Sequence, residues 1–343
     1  MRGDDSCRLG IAEDPDKGMC RRGRVIYPAA MSSVPPTTAA APARNPSQDT
    51  LRAVLFMLLA INLLPFMNVA AKFLSGDYHT VQVVWARYTG HLVFVVLMFM
   101  PRRGLSLFKA SRPGIHIIRS VLMFVATVCF FTALRFIEVP VASAINFTSP
   151  LIVTALAAPF LGEAVGIRRW TAVAVGFAGA LIIIRPGGGE THWAMFLVLG
   201  TALCYATYQI YTRKFSAADS PETSITYIAV VGAVISSIAL PFYWVTPVSV
   251  LDAGLFALLG FIGGLGHYFV IRAFQYGEAS VLAPFNYGQL VMAIILSFFV
   301  FGTFPDIWTF VGGGIIISSG LYITYRETLR GRKPTAPPSP NQA

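Results

Sequence analysis

Arg87, Tyr88 and His91 stand close together inside an otherwise apolar run, VVWARYTGHLVFVVLM. At helical spacing Arg87 and His91 share one face. A guanidinium there can fork onto an anionic or carbonyl group of a solute, or it can snorkel or bridge helices near an interface. His91 could take up a proton near neutral pH and couple a process to pH, or it could simply be hydrogen-bonded. A second polar group, Asn62, Pro65 and Asn68, falls in the preceding apolar run. Proline removes a backbone hydrogen bond and can kink a helix beside a cavity, although amide bonding between helices accounts for the same residues. Farther on, Tyr205, Tyr208 and Gln209 at i, i+3 and i+4 form an aromatic and amide face, suited to stacking on a flat solute or to plain packing. His267, Tyr268, Asn286, Tyr287 and Gln289 complete the polar set, with Asn286 and Gln289 on one face. Arg119 and Arg272, near the ends of apolar runs, are expected to snorkel.

Residues that would do covalent chemistry are missing from this pattern. The chain has no HExxH, no GxSxG and no pair of acids inside an apolar run, so no catalytic residue and no enzyme is expected. An intramembrane enzyme is the alternative from another class, and would need a nucleophile and base within reach. A channel would need a filter-like loop. Cys7, Cys20, Cys129 and Cys204 include no close pair, so neither metal, disulfide nor cofactor is implied. Glu138 and Glu278 occupy junctions between apolar runs. Without a mid-span acid the polar set suits neutral, anionic or zwitterionic solutes better than isolated cations.

The elements that must hold these groups follow from hydropathy. The sequence is 55% hydrophobic and 12% charged, which makes water an unsuitable solvent for most of its surface. Apolar stretches of about 20 residues, the length that crosses a bilayer, recur near 51–73, 80–100, 113–136, 139–161, 170–184, 193–215, 223–245, 251–276, 280–302 and 306–325. The expected class is therefore all-α, a polytopic membrane protein of about ten transmembrane helices. Residues 1–50 and 326–343 read as polar tails, the first too poor in apolar groups to fold alone. The net charge of +10 would suit a nucleic-acid partner, but Lys and Arg concentrate in the tails and in every second loop. That bias orients helices in a bilayer. It places both termini in the cytoplasm, with lipid rather than nucleic acid as partner; the expected location is the cell inner membrane. A monomer or homodimer is compatible with it.

The chain also repeats itself. ALRFIEVPVASAINFTSPLIVTALAAPFLG (133–162) matches AFQYGEASVLAPFNYGQLVMAIILSFFVFG (273–302) at constant offset, setting Glu138 on Glu278 and Asn146 on Asn286. Upstream, Lys72-Phe73 answers Lys214-Phe215. Five spans, an odd number, separate equivalent positions, so the halves enter the membrane in opposite senses. Rocking two such inverted halves exposes a midplane site alternately to each side. Residues 51–185 and 193–325 are the expected halves.

Two five-span halves, the LGE after span four, Trp170 and the Gly176/Gly179 pair resemble the EamA-type transporters of the drug/metabolite transporter superfamily. Half two departs from the pattern, with Thr303 where it has Glu. SRPGIHIIRS (111–120) and the late APFNYGQLVMAIILSFFVFGTFPD stretch look like the branch of bacterial S-adenosylmethionine and riboflavin uptake carriers. The resemblance implies a cavity ringed by spans one to four and six to nine, with five and ten at the end of the bundle. It also implies uptake of a vitamin or nucleoside-like solute, with export of amino acids or drugs as the alternative. S-adenosylmethionine, a sulfonium, suits a path without acids less well than riboflavin, although aromatic faces can hold a cation. The expected solute contacts are Asn62, Arg87, Tyr88, His91, Asn146, Tyr205, Tyr208, Gln209, His267, Asn286 and Gln289.

Overall fold

The computed structural model describes residues 46–162, 165–186, 192–215, 219–277 and 279–331. Most of the expected N-terminal tail, Glu278, the Glu163 of the LGE motif and the chain beyond 331 lie outside the described residues. Among those described, the secondary structure is helical, without strands. The helices are α1 (Pro46–Asp77), α2 (Thr80–Arg103), α3 (Pro113–Leu134), α4 (Val139–Asn146), α5 (Ser149–Leu161), α6 (Ile167–Ile184), α7 (Ala194–Phe215), α8 (Pro221–Ala239), α9 (Val250–Tyr276), α10 (Ala279–Asn286), α11 (Gly288–Phe301) and α12 (Ile307–Gly331). They provide 10 stretches long and apolar enough to cross a membrane.

Where the helices differ from the sequence reading, local chemistry explains the difference. Spans four and nine, expected as continuous helices, are each broken at the centre, into α4/α5 and α10/α11. Pro150 lacks an N–H and its ring crowds the carbonyl four residues back, at Asn146, where α4 ends. In the second half Pro284 lies within α10, and Gly288 opens α11 after the turn at Tyr287. The repeat is visible in the caps as well. Gly162 and Gly302 end α5 and α11 with φ of 69° and 66°, a left-handed conformation that glycine adopts without a Cβ clash. α12 continues to Gly331, through the first residues of the expected C-terminal tail.

The packing is that of two interleaved halves. α1 lies along α9 and α3 along α7, which are equivalent pairs under the repeat, and α2 packs on α8 and α9. α6 and α12 pack chiefly on each other, with Gly179 of α6 against the backbone of Gly312. Large apolar side chains such as Leu97, Ile238 and Phe299 face outward at 67%, 70% and 79% exposure. Polar side chains including Arg87, His91, Ser149 and Thr201 are buried. That inversion of the soluble pattern is what a hydrocarbon solvent selects.

Candidate functional site

A cavity of about 310 Å³ lies where the halves meet, walled by α1, α2, α3, α4, α5, α7, α9, α10 and α11. Arg87 of α2 faces it, 7% exposed. One end of its guanidinium donates to Thr127 Oγ1 of α3, and the other lies 3.4 Å from His267 Nε2 of α9. The rings of Tyr88 and Phe131 flank it at 5.3 and 5.5 Å. Thr127 is itself fixed, through a 2.9 Å bond to the Met123 carbonyl and a 2.8 Å contact with the Tyr88 hydroxyl. The guanidinium is thus held from three helices. Among the described residues it makes no ion pair, and no Asp or Glu lines the cavity.

The two helix breaks form another wall. Asn146 and Asn286, equivalent in the repeat, end α4 and α10 and both line the cavity. The residues after them, Phe147 and Tyr287, meet across the seam with their rings tilted at 60° and centroids 5.0 Å apart. Gln289 donates its amide to Asn286 Oδ1. Asn146 Oδ1 and Ser149 Oγ, at the start of α5, are buried without a hydrogen-bond partner. From α7, Tyr205 and Gln209 complete an aromatic and amide surface.

Seven of the expected residues therefore share the cavity: Arg87, Asn146, Tyr205, Gln209, His267, Asn286 and Gln289. Four lie elsewhere. Asn62 is exposed on the outer face of α1 and satisfies itself on its own helix, donating to the Leu58 carbonyl at 2.7 Å. Tyr88, one residue from Arg87, points away from the cavity and buries its ring against Gly232 of α8, so it braces Thr127 instead. His91 is a full turn farther along α2, packed on Gly264 of α9 with its ring 6.1 Å from that of His267, and its Nε2 has no partner. Tyr208 stacks behind Tyr205 at 5.9 Å and carries the Arg119 guanidinium on its other surroundings, 5.2 Å from its ring. Arg119 is 2% exposed and does not snorkel. Span seven, α8, contributes no described lining residue and stands behind α2.

Thr127, Ser149 and Thr201 line the cavity without having been singled out from the sequence. One signal was available for Thr127. The offset that sets Asn146 on Asn286 also sets Thr127 on His267, and these are the two side chains that hold Arg87.

Residues 51–185 and 192–325 each match the model of the EamA-like transporter family. The chain belongs to this family. It is a multi-pass membrane transporter, built as two inverted five-span repeats. It is 33% identical over 260 residues to a protein of Rickettsia bellii named S-adenosylmethionine uptake transporter, covering 76% of this chain and 89% of that protein. It is 29% identical over 293 residues to a riboflavin transporter of Rhizobium johnstonii, covering 84% and 96%. A pseudopaline exporter of Pseudomonas aeruginosa is 27% identical over 275 residues, covering 78% and 95%. One solved crystal structure superposes with a TM-score of 0.58 at 17% identity, over 84% of this transporter and 100% of the other chain, a likeness of fold.

Proposed function

We propose that this transporter takes up a flat, heteroatom-rich metabolite, of the kind represented by riboflavin or S-adenosylmethionine, by alternating access. The observation that carries the reading is the cavity at the seam of the inverted halves, walled by both helix breaks and lined by aromatic groups, amides and a held guanidinium. Aromatic faces supply stacking, and amides supply both donors and acceptors for a heterocycle edge. The cavity size suits one small molecule. The names of the Rickettsia and Rhizobium relatives support the same substrate class. The seven cavity residues are the proposed solute contacts, and the units that rock are residues 51–185 and 193–325. On this reading the protein makes and breaks no covalent bond and needs no cofactor. The distribution of Lys and Arg supports cytoplasmic termini, and the proposed location is the cell inner membrane. A monomer already contains the whole path; a homodimer would duplicate it.

The test is uptake of a labelled panel, riboflavin, S-adenosylmethionine, amino acids and simple drugs, into proteoliposomes of the purified full-length chain. Saturable accumulation of a flat heteroaromatic solute, with unlabelled solute competing, is the expected result. The relation to the pseudopaline exporter favours a second reading, export of amino-acid-like solutes. Efflux of preloaded amino acids, with no response to any heteroaromatic compound, would replace the first reading with the second.

A further inference from the structure

We infer that the transported solute carries an oxyanion, a carboxylate or a phosphate, and that Arg87 is the group that receives it. This deepens the functional reading above and rests on it.

A buried guanidinium costs much free energy unless an anion or a full set of hydrogen bonds compensates it. Arg87 is buried, yet its described partners are neutral, a threonine hydroxyl and an imidazole nitrogen with two aromatic rings. Among the described residues no Asp or Glu lines the chamber it faces. The side chain is nevertheless fixed in direction, since Thr127 and His267 hold two of its nitrogens while the rings of Tyr88 and Phe131 restrict its plane. A cation held rigidly beside a cavity, short of one negative charge, is a recognition group for an incoming anion. Among the described residues lining the cavity, no acidic side chain rejects such a group.

Recognition then divides between two sets of side chains in the chamber. Arg87 takes the oxyanion, and Asn146, Asn286, Gln289 and Gln209 face the uncharged heterocycle, with Tyr205 as the aromatic surface. A solute with both parts satisfies every polar group named here. A neutral flat solute leaves Arg87 without its anion.

Two matched pairs of probes test the inference: flavin mononucleotide against riboflavin, and S-adenosylhomocysteine against 5′-methylthioadenosine. Each pair keeps the heterocycle and differs in a phosphate or an amino-acid group. In competition for uptake by the wild-type protein, the charged member of at least one pair is expected to compete about tenfold more strongly. Arg87→Gln should remove that preference, read as the ratio of charged to neutral competition within each pair, and Arg87→Lys should retain part of it. The wild-type comparison needs no variant and decides alone if Arg87→Gln does not fold. Equal competition within both pairs overturns the oxyanion assignment and leaves the heteroaromatic reading intact. Silence from all four compounds overturns both.

Discussion

Asp219 shows how single side chains join the halves away from the cavity. It precedes α8 in the second half and accepts from the backbone N–H and hydroxyl of Ser111 at 2.9 and 2.8 Å, with His116 Nε2 at 2.9 Å, all from the first half. The Ser111 N–H, and after it His116, hold the Asp219 carboxyl below its ordinary range. A depressed acid stabilises the fold above its unfolded pKa and loses that contribution as pH falls through the folded one, so this tie persists until the pH drops below about 3.9. Asp219→Asn should cost about 1.5–3 kcal/mol, the range for hydrogen bonds to a charged group, read as a lower melting temperature of the purified protein at neutral pH. The difference from wild type should shrink toward pH 3; a constant difference across that range would assign the loss to packing. At this scale the sequence was only partly informative. Arg87 was legible because charge inside an apolar run is costly and rare, whereas Thr127 was not, since a threonine can always satisfy its hydroxyl on its own helix. Asn62 illustrates the same point in reverse: its amide found the Leu58 carbonyl, and no spacing rule distinguishes that from facing a solute.

At the scale of elements, helix positions were read within a few residues, because a 20-residue apolar run has one way to satisfy its backbone in lipid. The central breaks of α4/α5 and α10/α11 were not read, although Pro150 and Pro284 were in view. A proline states where a hydrogen bond is lost, not whether neighbouring helices let the chain turn there. Close crossings are also decided between elements. α2 and α9 meet at Gly90 and Gly260, where a Cβ on Gly260 would lie 2.5 Å from the Gly90 Cα and 2.6 and 2.7 Å from the Ala86 and Arg87 carbonyl oxygens. All three obstacles are backbone, so Gly260→Ala must move one helix. A loss of about 1–3 kcal/mol is expected, together with weaker uptake, since the displaced backbone includes that of Arg87. Gly254→Ala on the same helix meets nothing within 4 Å and should be neutral or slightly stabilising. Equal melting temperatures for the two variants would remove the crossing from the account.

Across the whole molecule, the two halves are equal in sequence plan but not in packing. Lys72 of α1 donates to the Leu134 and Ile137 carbonyls at 3.0 and 2.8 Å, and α1 packs on α3. Its repeat equivalent, Lys214 of α7, instead reaches the Phe160 carbonyl at 3.1 Å, and no comparable packing joins α7 to α9. Likewise α4 packs on α11, while its counterpart α10 has no such contact with α5. The Lys72 end of the seam is therefore latched in a way the Lys214 end is not, the kind of asymmetry that alternating access requires of any single state. Lys72→Ala should add a longer-distance population between spin labels placed on the Lys72 ends of α1 and α3, because removing a contact of one state shifts the population toward the other. Lys214→Ala should not produce that population; the same response from both variants, or none from Lys72→Ala, would discard the latch. The sequence by itself determined the solvent, the number of crossings and the inverted duplication, because each follows from hydrocarbon's demand on backbone polar groups and from an odd count of spans. Only the tertiary structure decided which polar faces meet around the cavity, where spans four and nine break, and which half supplies the latch. Two equivalent halves can exchange those roles with the same residues, so the choice lies in the packing between them.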